Sequence, residues 1–437
     1  MKDEMIYAEK LSRMIQCETI SVPDVPNTEK FDRFHSVLQE LFPLVFRKGE
    51  VHYIDASILI RWQGKGKKEP ILLMSHQDVV PAEGEWKYPP FSGEIADGRV
   101  WGRGTVDTKG SLMCIFQGIE ELMEEGYEPE GDVYIASSST EEVAGNGASK
   151  TVQWLLDHNV KLQFLMDEGG MVVDEPMAGV KGRYAMIGTM EKGTGNIVIT
   201  ARSTGGHASA PEKNTPIARL SAFITDIEKN NPNKLEFTST VLEMFRRLGP
   251  QAKGVLGFAM RHAKGLSPVL KKVLPAVSAK GAAMLRTTMA WTMCSGSQAR
   301  NVLPENAWVN INTRFIIHQD VEKTKKILQP YLEKYDLEAE YVNCHEPQTP
   351  VDHNSKAFKL IEETVAEIYP GVISSPYVMT GGTDAYYYAP VTDNALRFAP
   401  IYIDSQQLGS IHAKDENIFI SSLPKAIEFY KAIVKKM

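Results

Sequence analysis

The sequence predicts an α/β protein, a mostly parallel sheet flanked by helices, with a smaller α+β domain inserted into it. Three observations carry this. The runs at 71–74, 133–136 and 164–166 are short and continuously apolar, as expected of strands buried on both faces. Helical patterns alternate with them: Leu112, Ile115, Phe116, Ile119, Leu122 and Met123 form one stripe, and a second helix lies around 152–156. Strand–helix–strand alternation is the rhythm of a parallel sheet. From about Glu191 the pattern changes to strand 196–201, helix 216–229, strand 308–315, helix 321–335 and strand 338–342.

The first element is an amphipathic helix, with Met5, Ala8, Leu11, Met14 and Ile15 on one face. A strand at 58–62 follows, closed by the turn-rich stretch Gly64-Lys65-Gly66-Lys67-Lys68 before the first buried strand. After Glu338–Val342 the tail resumes with helix, strand and helix, which returns it to the first sheet. The chain has 437 residues, and at ~150 residues per domain two or three domains are expected. The predicted division is a discontinuous larger domain, 1–191 with 346–437, and an inserted domain, 192–345.

Composition narrows the function classes. A hydrophobic content of 43% and a charged content of 24% exclude a disordered, collagen-like or coiled-coil chain. Cys17, Cys114, Cys294 and Cys344 show no CxxC spacing, and the first residues are acidic rather than basic. Together with the lack of any apolar run near the ~18 residues of a membrane span, these features predict a cytoplasmic protein. The net charge of −7 makes nucleic acid an unsuitable partner. One segment departs from the acidic body: Met244 to Ala290 holds nine Lys and Arg and no acid, with apolar residues interleaved. It is expected to be a basic helical insertion packed on the inserted domain with its charges in water. The sharper alternative is an apolar surface that guides an acyl chain or lies on a membrane.

The informative polar residues follow the buried strands. Ser75-His76-Gln77-Asp78 ends the first, Thr140-Glu141-Glu142 the second and Asp167-Glu168-Gly169-Gly170 the third, while Asp107 stands in a glycine-rich turn before a helix. In open α/β sheets the carboxyl ends of strands line the ligand crevice. One His and several acids converging there would repel one another without a cation. Imidazole with carboxylates suits zinc, cobalt or manganese, and the surplus of acids suggests two ions sharing a bridging carboxylate. In Asp167-Glu168 either acid suits the role of ligand. Neither a P-loop GxxxxGK[ST] nor a GxSxG elbow occurs.

The stretches LLMSHQDVVPA, GRGTVDTKG, TEEVAGNGA and MDEGG, in this order, resemble metallopeptidase family 20, the di-zinc family of aminoacylase, carboxypeptidase S and succinyl-diaminopimelate desuccinylase. GGHASAPEKNTPIA, LRTTMAWT and RFAPIYID are most similar to its carboxypeptidase S and N-fatty-acyl amino acid hydrolase branch. The resemblance implies two zinc ions per chain, with cobalt or manganese as substitutes. His76 and Glu168 would bind one, Glu142 and His412 the other, and Asp107 would bridge them. Asp78 would orient His76, and Glu141 would be the general base. The inserted ferredoxin-like domain would be a lid and a homodimer interface, with His207 presented to the scissile carbonyl. Asn301 and Arg314 would contact substrate, Arg314 its carboxylate, and Gly381, Gly382 and Thr383 would supply backbone donors there. Val106 and Thr108 flank Asp107 where many relatives have another Asp.

The implied activity is hydrolysis of N-acyl amino acids, or of the C-terminal residue of short peptides. The alternatives are a dipeptidase or aminopeptidase of the same family and a non-catalytic amino-acid- or peptide-binding protein. The intact Glu141 argues against the last, since binding alone has no use for a base. The remaining histidines show no ligand spacing, and His35 is expected to be exposed.

Overall fold

The computed structural model describes residues 2–23, 25 and 28–437. Its large sheet has the strand order Glu50–Ile54, Ser57–Trp62, Val133–Ser137, Ile71–Met74, Phe164–Asp167, Ala395–Arg397, Arg183–Glu191, Val172–Asp174 and Tyr402–Ile403. Ile373–Met379 pairs with Arg183–Glu191 off this path. Val133–Ser137, Ile71–Met74, Phe164–Asp167 and Ala395–Arg397 form a parallel centre. The pairings of Glu50–Ile54 with Ser57–Trp62 and of Ser57–Trp62 with Val133–Ser137 are antiparallel. The three apolar runs thus lie side by side, Ile71–Met74 in the middle, and their carboxyl ends point the same way.

Helices Lys2–Ile15, Lys109–Glu124 and Leu423–Lys436 cover one face, burying Leu11, Met14, Leu112, Phe116, Ile427 and Ile433 against Ile71, Leu73 and Ile135. Helix Gly147–Asp157 covers the other, where Val152 and Leu155 meet Leu72, Tyr134 and Leu165. Leu72 and Leu73 therefore enter opposite cores, which is why the strand shows no polar alternation.

Residues 193–342 build a second sheet, antiparallel, in the order Thr288–Ser295, Asn306–Phe315, Gly193–Arg202, Glu338–Val342. Helices Pro216–Asn230 and Val321–Tyr335 pack on it through Leu220, Phe223, Leu328 and Leu332. This β-α-β-β-α-β path is ferredoxin-like. Thr288–Ser295, on the edge, is the strand that the sequence pattern does not reveal.

The basic segment is helical, Ser239–Leu248, Gly254–Arg261, Ala263–Val277 and Ala279–Ala283. It packs on the inserted domain at Ile316, as expected, and on the large sheet as well. Val241, Met244, Phe245, Leu248 and Met260 form one core with Ile316 and with Tyr184, Met190 and Val378, side chains of the large sheet. No helix among the described residues is long and apolar enough to cross a membrane.

Candidate metal centre

The carboxyl ends of the three central strands deliver His76, Glu141 with Glu142, and Glu168 to one place, and the turn before helix Lys109–Glu124 brings Asp107 between them. His76 Nε2 lies 3.0 Å from Asp107 Oδ1, 3.5 Å from Glu168 Oε1 and 4.0 Å from Glu141 Oε2. From the far side His412 Nε2 stands 2.9 Å from Asp107 Oδ2 and 3.1 Å from Glu142 Oε2. Asp107 thus presents one oxygen to each imidazole. His412 holds this position with a φ of +57°, an arrangement that costs a non-glycine residue roughly 1–2 kcal/mol and that collects at functional sites.

The neighbouring groups fix these side chains. His76 Nδ1 donates to the backbone oxygen of Asp78 at 2.9 Å, which turns Nε2 toward the acids. The Asp78 carboxylate is farther from Nδ1, at 3.5 Å. It accepts instead from the backbone N–H of Glu141 and of Glu142, both at 3.1 Å, and from Ser21 Oγ at 2.7 Å. Asp78 therefore orients His76 mainly through its carbonyl, and its side chain positions the Glu141-Glu142 turn. Asp167 turns away, accepting from the Glu168 and Ala385 N–H groups. Glu168 is the acid that faces His76.

The electrostatics are those of a site built for cations. Burial pushes the Glu168 carboxyl up to about 8, with Asp107 adding to the rise against the pull of His76. Burial raises Glu141 well above the carboxylate range too, reinforced by Glu168. Asp107 goes the other way: burial opposes its ionisation, but hydrogen bonds from His412 and His76 pull it far down. The hydrogen bonds to Asp107 and Glu142 lift His412 to about 10. Glu142 Oε1 is buried without a hydrogen-bond partner among the described residues. Two clusters, His76-Asp107-Glu142 and His76-Glu141-Glu168, each have ligand atoms within 4.8 Å of one another. Carboxylate-rich, imidazole-containing and thiol-free, this donor set fits hard-to-borderline divalent ions.

The other expected residues are placed differently. His207 is exposed on the short ribbon Gly206–His207 with Val302–Leu303, its Nδ1 accepting from Ser209 Oγ at 2.8 Å. Asn301 is next to it, its carbonyl accepting the Ala208 N–H. Arg314 lies half-buried on strand Asn306–Phe315, between Thr194 and Thr288. Among the described residues no hydrogen bond or ion pair links these three to the metal-centre side chains. Gly381 and Gly382 are exposed. Thr383 corrects the expectation: its N–H is already given to Glu191 Oε1 at 2.8 Å, and Glu191 is buried against Arg397. His35 is also unlike its expectation, being buried and bonded to Gln77 Oε1 at 3.0 Å.

Sequence reasoning missed Glu416 and Arg103. Glu416 Oε2 accepts from Arg103 Nη1 at 2.7 Å and the Gly104 N–H at 3.0 Å, and Oε1 from the N–H groups of Val106 at 2.8 Å and Asp107 at 3.0 Å. The only sequence signal was an acid four residues after His412, in a loop otherwise resembling a solvated turn.

Fold and site together define a metal-dependent hydrolase with its reaction centre at the carboxyl ends of a parallel sheet. A model of Peptidase family M20/M25/M40 matches residues 72–436, and the chain belongs to that family of metallohydrolases acting on amide bonds. The chain is 30% identical to the N-fatty-acyl-amino acid synthase/hydrolase PM20D1 of Xenopus tropicalis, over 99% of this chain and 86% of that protein. It is 27% identical to carboxypeptidase S of Saccharomyces cerevisiae, over 98% of this chain and 83% of that one. The crystal structure of an M20 family metallo-carboxypeptidase from Sulfolobus solfataricus superposes with a TM-score of 0.73 at 19% identity, covering 100% of this chain and 99% of that one.

Proposed function

We propose that the protein hydrolyses the amide bond of N-acyl amino acids, or releases the C-terminal residue of short peptides, with two zinc ions per chain for which cobalt or manganese can substitute. The observation that carries this is the placement of Asp107 between two imidazoles. His76 and Glu168 would hold one ion, Glu142 and His412 the other, and Asp107 both. When bound, such a pair polarises the amide carbonyl and acidifies water.

The chain's own groups do the rest. Glu141, beside Glu142 and 4.0 Å from His76, accepts a proton from the water that attacks the carbonyl carbon. It returns that proton to the amine nitrogen as the C–N bond breaks, leaving a carboxylic acid and a free amino group. The Arg314 guanidinium, which makes no hydrogen bond or ion pair among the described residues, takes the α-carboxylate of the released amino acid. His207, on its exposed ribbon, would donate to the carbonyl oxygen from the lid of a partner copy in a homodimer, and Asn301 would contact the substrate. A domain division at 191/192 and 345/346 would put the hinge of that lid beside Glu191. Four free cysteines support a reducing, cytoplasmic location.

The test is amino-acid release from dipeptides and from short- and long-chain N-acyl amino acids by the zinc-loaded protein, with Glu141→Gln as control. Release from N-acyl substrates, absent in the control, is expected. Release from dipeptides alone would assign a dipeptidase, and none from any substrate would reject the reading.

A further inference from the structure

We propose that the face formed by helices Gly254–Arg261 and Ala263–Val277 docks on an anionic lipid surface. The inner side of this pair is anchored: Met260 and Ala263 are buried with Val180, Tyr184 and Leu248, and Leu270 and Leu274 pack partly against the same cluster. The outer side is apolar where solvent should favour polar groups. Val255 is 85% exposed and Phe258 53%, and Val269, Val273 and Val277, at successive turns of one helix face, are 58%, 48% and 71% exposed. With Leu256, six of the sixteen exposed large hydrophobics among the described residues fall in these 23 positions. A cluster of that kind marks an interaction surface, whereas scattered single residues do not.

The charge states what kind of surface. Lys253, Arg261, Lys264, Lys271, Lys272 and Lys280 interleave with these residues along the chain, and none forms an ion pair among the described residues. No acid occurs from Met244 to Ala290, although the whole chain carries −7. Lysine stems can lie along an apolar layer while their ammonium groups reach anionic headgroups. A second copy meeting the same face would set cations against cations, which disfavours a symmetric contact. Nucleic acid would use the lysines and leave the valines and Phe258 in water. Charge and apolar exposure are both satisfied by an anionic bilayer, with the apolar side chains at the headgroup–acyl boundary. This inference stands apart from the substrate reading, because these residues are remote in sequence from every metal-centre side chain and its test does not use turnover as the readout.

The experiment is flotation of the full chain with phosphatidylcholine vesicles, with and without phosphatidylglycerol, at low and high salt. Binding only to the anionic vesicles, released by salt, is the expected result. Lys264→Gln/Lys272→Gln, at exposed positions that leave the core intact, should bind about thirtyfold more weakly, at roughly fivefold per lysine. Val255→Asp/Phe258→Asp should abolish flotation while circular dichroism and hydrolysis of a short N-acetyl amino acid are unchanged. No flotation with anionic vesicles, or equal flotation of the lysine variant, would overturn the proposal. So would concentration-dependent self-association through this face without vesicle binding, which would assign it to a second copy.

Discussion

Glu416 is buried against Arg103, Oε2 to Nη1 at 2.7 Å, and its remaining lone pairs accept the N–H groups of Gly104, Val106 and Asp107. Arg103 in turn donates from Nη2 to the Ala413 carbonyl at 3.0 Å. One carboxylate thus ties the turn carrying Asp107 to the loop carrying His412, about 300 residues later in the chain.

Glu416→Gln should lower metal content and kcat together. The amide keeps the shape but turns an NH2 donor toward N–H groups that have no other acceptor among the described residues. The loss expected for such an outer partner is about 10–100-fold. Metal analysis after gel filtration, with the melting temperature measured alongside, separates this from unfolding. Full metal content with unchanged kcat would show that the two loops hold their places unaided.

Asp78 supports the opposite side of the centre, and Asp78→Asn should reduce kcat with little change in KM. Its two oxygens accept the Glu141 and Glu142 N–H groups and Ser21 Oγ. An Asn amide would face at least one of these donors and push the Glu141-Glu142 turn away from His76. Ser21→Ala removes one donor and leaves the turn bonded, so its effect on kcat should be several-fold smaller. Steady-state kinetics on one N-acyl substrate compares the two, and equal effects would argue against this ordering.

The legible part of the site was the part written locally. His76, Glu141, Glu142 and Glu168 follow continuously apolar strands because a strand buried on both faces has polar residues only where it ends. Asp107 was marked only by its glycine-rich turn before a helix, and His412 has no local mark at all, so that only the family resemblance pointed to it. The partners of Glu416 lie across the fold, so its sequence neighbourhood is that of a turn. Thr383 looked like a free donor because Glu191, which takes its N–H, ends a strand, Arg183–Glu191, that the apolar pattern did not reveal. The basic helices were assigned to the domain that contains them in sequence. Their neighbours in space include Ile316 of that domain but also Tyr184 and Val378, brought there by the pairing of Ile373–Met379 with Arg183–Glu191.

Acid should loosen those helices before the sheet beneath them. Arg247 bonds Glu243 from Nε at 2.6 Å, pairs with Glu362 and donates to the Ser374 carbonyl at 2.9 Å, joining helix Ser239–Leu248 to the large sheet. Burial alone would raise the Glu243 carboxyl from its ordinary 4.5, yet hydrogen bonds from Arg246 and Arg247 hold it at about 2. A depressed folded-state value contributes stability that is complete above the unfolded value, and it fades as pH falls from 4.5 toward 2. Hydrogen exchange in residues 239–261 should therefore accelerate across that window, more than in residues 133–137. Glu243→Gln should flatten the dependence. An unchanged profile in that variant would place the acid sensitivity elsewhere.

Arg314→Ala should discriminate substrates by one functional group. A guanidinium matches a carboxylate through two parallel hydrogen bonds, and a hydrogen bond to a charged group is worth roughly 1.5–3 kcal/mol. On an N-acyl amino acid, kcat/KM should fall by about 10–100-fold, mostly through KM, because the contact is present in the ground state as well as the transition state. On the matching N-acyl amino acid amide, which has no carboxylate, the variant and the intact protein should be nearly equal. Lys at this position should recover part of the loss, since it restores the charge without the fork. A parallel loss on both substrates would mean that Arg314 supports the strand between Thr194 and Thr288 and does not read the carboxylate.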